Sequence, residues 1–141
     1  MSAEHVDIEI DLSSKFWNNA PRAKVWLDDT VLLQASELTQ PTKVTYSGQL
    51  EEGEHEIRIS LHGKDGVTDT VIEDGKIVKD QILNIDEITF DGIPLGFLLH
   101  SVGEFKSDSG EVTSNMVNLG VNGTWTMKFT APIYLWLLEH L

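Results

Sequence analysis

Hydrophobic and polar positions alternate at the start of the chain: Val6, Ile8, Ile10 and Leu12 are separated by Asp7, Glu9 and Asp11. A period of two means a strand with one buried and one solvated face. The alternation returns at Val44 and Tyr46 within residues 43–50. It recurs in residues 54–61, where Ile57, Ile59 and Leu61 point inward and Arg58 and Ser60 outward, and again at Trp125, Met127 and Phe129. The stretch Asp80-Gln-Ile-Leu-Asn-Ile-Asp-Glu-Ile-Thr-Phe-Asp-Gly92 is a central strand whose apolar phase shifts, Leu83 and Ile85 on one parity, Ile88 and Phe90 on the other. All four stay inward if the strand bulges near Asp86-Glu87.

Turn chemistry separates these runs. Asp28-Asp29 joins residues 23–27 to 31–34, Glu51-Glu52-Gly53 precedes residues 54–61, and Glu73-Asp74-Gly75-Lys76 closes a small hairpin over 71–78. Residues 93–99 are expected to add an apolar strand, and the polar residues 101–118 a surface excursion. Pro132 is suited to open a short helix, with Ile133, Trp136 and Leu137 at helical spacing. Eight or more short strands with little helix give an all-β, antiparallel β-sandwich of jelly-roll kind, with a short C-terminal helical segment. A length of 141 residues suits one domain over 1–141.

Two tryptophans sit where alternation does not decide their side. Trp26 is on the opposite parity from Val25 and Leu27, and its size favours burial in the core or under a loop. Phe16 and Trp17 lie in a loop with Asn18 and Asn19. They either plug one end of the sandwich or display an aromatic platform beside amides, in which case Trp17, Asn18 and Asn19 are glycan-binding residues.

Charge narrows the partners. Twenty-three acidic against ten basic residues give a formal charge of −13, the wrong sign for a phosphate backbone, so nucleic acid is excluded as a partner. With no cysteine, thiolate metal sites and disulfides are out of reach. No apolar run approaches the ~20 residues of a membrane span, and Met-Ser-Ala-Glu-His-Val-Asp has neither the basic head nor the apolar core of a signal peptide. Membrane insertion is therefore not expected. Synthesis in the cytoplasm is, with the protein acting there or on a particle. Enzymatic motifs are missing: there is no Gly-x-Ser-x-Gly elbow, phosphate loop, dinucleotide fingerprint or His-Glu-x-x-His, and the five histidines lack ligand spacing. The expectation is a non-catalytic protein.

The segment from Asp80 through Asp86 to the Asp91-Gly92 turn resembles the last strands of calcium-dependent xylan-binding carbohydrate-binding modules. Leu50-Glu-Glu-Gly-Glu-His55 is similar to a turn-and-strand phrase in glycan-binding modules. A carbohydrate-binding-module-like sandwich is what these resemblances imply. Calcium needs six to eight hard oxygens, which loops rich in Asp and Gly can supply. Asp65, Asp69 and Asp80 share one end of the sandwich if residues 54–61 and 82–90 are neighbouring strands. The resemblance implies that Asp65 and Asp80, with Asp69, hold a calcium ion that in turn binds the hydroxyls of a plant-type or cell-surface polysaccharide. Lys64 departs from that pattern by placing a positive charge beside the site, and no EF-hand spacing occurs.

The strand and Asp-Gly turn, followed by residues 120–138, also resemble small uncharacterised proteins of tailed bacteriophages. This implies a structural role on a virion, as capsid decoration or a tail- or fibre-associated subunit, assembled in the host cytoplasm with other virion proteins or with itself. Six apolar residues in succession, Ile133 to Leu138, exceed one amphipathic face. They must meet a second surface, within the domain or on a neighbouring subunit. An assembly contact through Ile133, Tyr134, Trp136 and Leu137 is the favoured expectation, and on it truncation of 133–141 leaves a folded monomer.

Overall fold

The computed structural model describes residues 3–35 and 37–140. Along the chain the strands are β1 (Ala3–Lys15), β2 (Arg22–Leu27), β3 (Thr30–Ala35), β4 (Thr42–Glu51), β5 (Gly53–His62), β6 (Val71–Glu73), β7 (Lys76–Lys79), β8 (Ile82–Phe90), β9 (Ile93–Pro94), β10 (Gly103–Ser107), β11 (Val112–Ser114), β12 (Asn118–Leu119) and β13 (Gly123–Ala131). A short helix α1 (Leu99–Val102) follows a 3-10 turn after β9, and α2 (Ile133–His140) follows β13.

Two antiparallel sheets face each other. One runs β12-β8-β1-β4 with β9 beside β8, and the other β11-β10-β13-β5-β2-β3; β6 and β7 form a separate hairpin. The alternation in β1 does what its period requires: Val6, Ile8, Ile10 and Leu12 are buried, while Asp7, Glu9 and Asp11 lie on the outer face of the sheet. In β8 the pairing runs from Asp11 opposite Glu87 to Leu12 opposite Ile85. Asp86 is thus the extra residue of a bulge, and Leu83, Ile85, Ile88 and Phe90 all reach the core. In the β6–β7 turn Asp74 and Gly75 both have positive φ, 53° and 77°, the backbone that a two-residue hairpin needs and that Gly adopts without steric cost.

Several elements depart from expectation. Residues 93–99 supply only the two-residue β9 before the chain coils. Leu95 and Leu99, four apart, are both buried while Phe97 projects into solvent, 95% exposed, a helical and not an alternating pattern. Residues 101–118 are not a loop but carry β10, β11 and β12, and β10 lies inside the second sheet between β11 and β13. Its inward positions are Gly103, Phe105 and Ser107, so two small residues hide the alternation. Gly103 is small for a reason: a Cβ there would stand 2.0 Å from Cε2 of the buried Trp125. Residues 54–61 and 82–90 lie in opposite sheets, so β5 and β8 are not paired strands.

Trp26 is not packed in the core. Val25 and Leu27 are buried in its place, and the indole lies on the outer face of its sheet with Lys24 Nζ 4.8 Å and the Arg58 guanidinium carbon 4.7 Å from the ring centroid. Cations on an aromatic face compensate for the lost burial.

The C-terminal run divides. Ile133, Trp136 and Leu137 are buried within the chain's own core, Trp136 meeting Phe90 and Phe129 at ring-centroid distances of 6.1 and 6.3 Å. The Ile133 N–H donates to Glu4 Oε1 at 2.6 Å, tying the start of α2 to β1. These three side chains belong to an intramolecular contact, because the ends of β8 and β13 present the aromatic faces they cover. Of the expected assembly residues only Tyr134 points outward, with Leu135 and Leu138 beside it.

Candidate functional site

At one end of the sandwich, loops from both sheets meet although their strands are not paired. Residues 16–21 after β1, 63–70 after β5, 80–81 before β8 and 120–122 before β13 form a hydrogen-bonded cluster. Trp17 Nε1 donates to the Asp69 carbonyl at 3.2 Å, Asn18 Nδ2 to the Thr68 carbonyl at 3.4 Å, and Asn19 Nδ2 to Asp69 Oδ1 at 3.1 Å. Gln81 Nε2 returns a bond to the Asn19 carbonyl at 2.9 Å. The three expected glycan residues and the three expected metal residues therefore belong to one cluster. The indole of Trp17 remains 46% exposed, and the exposed Lys79 holds its Nζ 5.0 Å from the ring centroid.

Asp69 is the organiser. It is buried, and its two carboxylate oxygens accept from different loops, Oδ1 from Asn19 and Oδ2 from the Asp65 N–H at 2.8 Å. Asp65 caps its own turn: Oδ1 accepts from the Val67 and Thr68 N–H groups at 2.8 and 3.4 Å. These backbone donors hold the Asp65 carboxyl below its ordinary range.

Asp80 faces a different partner. Its Oδ1 accepts from Lys64 Nζ at 2.5 Å, Thr70 Oγ1 at 2.7 Å and the Gln81 N–H at 2.8 Å. Partial burial pushes this carboxyl up, but the Lys64 ammonium and the two further donors outweigh it, and the net shift is downward. Lys64 Nζ also donates to the Gly120 carbonyl. A cavity of about 270 Å³ opens here, lined by polar Lys64, Thr70, Asp80 and Asn122 together with apolar Ile77 and Val121.

As arranged, these aspartates are engaged with protein donors. Calcium takes six to eight oxygens converging on one point, whereas both oxygens of Asp69 and one each of Asp65 and Asp80 already accept N–H or O–H donors. Among the described residues no three His, Cys, Asp or Glu side chains are grouped to hold a metal ion.

The opposite end of the second sheet carries a larger cavity, about 430 Å³, lined by Asp28, Glu54, His55, Glu56, Lys128 and Trp136 among others. A histidine beside carboxylates suggests acid–base chemistry, but His55 has no nitrogen to spare. Nδ1 lies 2.7 Å from Asp28 Oδ2 and Nε2 2.6 Å from the Glu51 carbonyl. Donating to two acceptors requires the imidazolium. Burial pulls the His55 pKa down, yet the bonds to Asp28 and Glu51 and the charges of both residues prevail and raise it above the ordinary value of 6.5. A raised folded pKa contributes stability that is fully present below about 6.5 and lost as pH rises through the folded value. The His55 contribution to unfolding free energy is therefore expected to fall as pH rises above about 6.5, against an opposite contribution from His62, whose pKa burial lowers. His55→Gln, compared with wild type in denaturant, should lose the falling component of the slope. An equal slope in the variant would show that the ring does not titrate against its two acceptors.

What the sequence concealed here is the partner of Asp80. Lys64 reads as a charge obstructing a metal, and only the meeting of β5 and β13 loops reveals the Gly120 carbonyl that completes its environment.

No protein-family model matches the chain, and no curated protein does. Among solved structures, one described as vCBM60 in complex with galactobiose is similar, with a TM-score of 0.50 and 14% sequence identity over 86% of this chain and 96% of that one. At that identity the likeness establishes the fold alone: the chain is an antiparallel β-sandwich similar in fold to that module.

Proposed function

We propose that this protein is a non-catalytic glycan-binding module whose binding surface is the loop end around Trp17 and the Lys64–Asp80 cavity. The observation that carries this reading is the immobilised, half-exposed indole of Trp17, anchored through Nε1 to the Asp69 carbonyl. The next residue, Thr70, lines the cavity with Lys64, Asp80 and Asn122. Sugars present C–H faces that stack on aromatic rings and hydroxyls that exchange hydrogen bonds with charged and amide groups, and this end supplies both. A pre-ordered platform reduces the entropy lost on binding. The similar module's complex with galactobiose supports the ligand class. A glycan stacking on Trp17 either displaces the solvated Lys79 chain or takes the opposite ring face.

A glycan array followed by calorimetric titration with galactan- and xylan-derived oligosaccharides tests the proposal. Wild type is expected to bind a neutral oligosaccharide, and Trp17→Ala to lose at least tenfold in affinity while melting close to wild type. An array without hits, or a variant that binds as well as wild type, would sink the reading.

A second reading, a subunit of a bacteriophage particle, draws on the outer side of α2, where Tyr134 and Leu138 are 57% and 70% exposed with Leu135 between them. Such a strip is suited to contact with another protein surface, through virion partners or self-assembly.

A further inference from the structure

We infer that the Lys64 ammonium is this site's own cation, filling the place between Asp80 and the Gly120 carbonyl that a divalent metal would need, so that the loop end is ordered, and meets its ligand, without metal. The ligand half of this statement rests on the glycan reading above; the ordering half stands without it.

The geometry is that of a cation held in an oxygen cage. The Lys64 side chain is only 6% exposed and that of Asp80 16%. Two of the three ammonium N–H groups are spent, on Asp80 Oδ1 and on the Gly120 carbonyl. The third has no acceptor among the described residues, and Lys64 lines the 270 Å³ cavity, so a ligand hydroxyl can accept from it. The base of the side chain is fixed as firmly as its tip. The Lys64 N–H donates to Asn122 Oδ1 at 2.8 Å, and Asn122 Nδ2 donates back to the Lys64 carbonyl at 2.9 Å.

A divalent ion approaching Asp80 therefore meets a positive charge that is covalently attached and already desolvated. Displacing it would leave a buried ammonium without its counter-ion, which is strongly unfavourable. The cage also explains why neighbouring carboxylates can be spent on loop geometry. With the cation supplied by Lys64, Asp65 and Asp69 are released to accept backbone and amide donors.

Thermal melts in EDTA, in 10 mM calcium chloride, and in sodium chloride of matched ionic strength test this on the full chain. Wild type is expected to melt at the same temperature in all three. Lys64→Ala frees the Asp80 carboxylate and the Gly120 carbonyl from the ammonium. It should melt several degrees lower in EDTA and recover about 2–4 °C in calcium but not in sodium chloride, as expected for a weak ion bound only to the native state. If Lys64→Ala does not fold in EDTA, refolding it in calcium replaces the melt, and recovery there supports the inference. A wild type stabilised by calcium, a folded variant blind to calcium, or a variant that calcium cannot rescue would each overturn it. These melts involve no sugar, so failure of the glycan reading leaves them unchanged. Where the array yields a ligand, its affinity for wild type should be the same in EDTA and calcium.

Discussion

Trp136→Ala is expected to lower the unfolding free energy by about 3–5 kcal/mol, the loss found for large aromatic side chains removed from packed cores. The indole is 4% exposed, bounded by Phe90 and Phe129 and covered by His140, whose ring centroid is 4.5 Å away. Alanine would leave a cavity at the junction of both sheets and α2. Against a typical domain stability of about 5–15 kcal/mol the variant is marginal, and truncation of residues 133–141, which also removes buried Ile133 and Leu137, is expected to leave no cooperatively folded monomer. Chemical denaturation of the point variant and a thermal melt of the truncated chain measure this. A truncated protein that melts as wild type would restore the idea of an expendable, purely intermolecular tail. The matched control is the triple change Tyr134→Ser, Leu135→Ser and Leu138→Ser on the exposed side of α2. It should cost little stability, and light scattering of wild type beside it asks whether that side holds copies together.

The contrast between the two sides of α2 shows where sequence reasoning reaches and where it stops. Six consecutive apolar residues announce that more than one surface is involved, and Ile133, Trp136 and Leu137 sit at the spacing of the buried face. Whether that face meets its own domain depends on Phe90 and Phe129 lying at the ends of β8 and β13, a matter of topology. The β8 bulge was legible because period two permits no other way to keep Leu83, Ile85, Ile88 and Phe90 inward. Strand β10 was hidden because Gly103, whose place the Trp125 indole requires to be small, and Ser107 are two of its three inward residues, and small inward residues leave no hydrophobic rhythm. Trp26 misled for the complementary reason: size favours burial, but parity gave the core to Val25 and Leu27, and Lys24 and Arg58 made the outer face tolerable to an indole. At the candidate site, the residue types were visible in the chain and their partnerships were not. Trp17, Asn18 and Asn19 stand out as an aromatic beside amides. That they are bonded to the 65–69 loop follows only from the closing of the sandwich.

Asp69→Asn is expected to uncouple the two loops and so disable the glycan surface from beneath. The carboxylate accepts from Asn19 Nδ2 with one oxygen and from the Asp65 N–H with the other, while the Asp69 backbone carbonyl receives the Trp17 indole N–H. An asparagine keeps one acceptor oxygen and sets an NH₂ group against whichever donor remains, two donors facing each other at a buried position. A donor left unsatisfied in this way costs about 1–3 kcal/mol. The melting temperature should therefore fall by several degrees. Sugar affinity should fall further than it does in Trp17→Phe, because the substitution removes the alignment of Trp17 and Asn19 together and not one stacking surface. Comparing Asp69→Asn with Asn19→Ala in the same oligosaccharide titration separates the two halves of the contact: Asn19→Ala should weaken binding less, since the 65–69 loop keeps its own Asp65–Asp69 bond. If Asp69→Asn melts and binds as wild type, Asp69 does not organise the site, and Trp17 is held by its backbone environment alone.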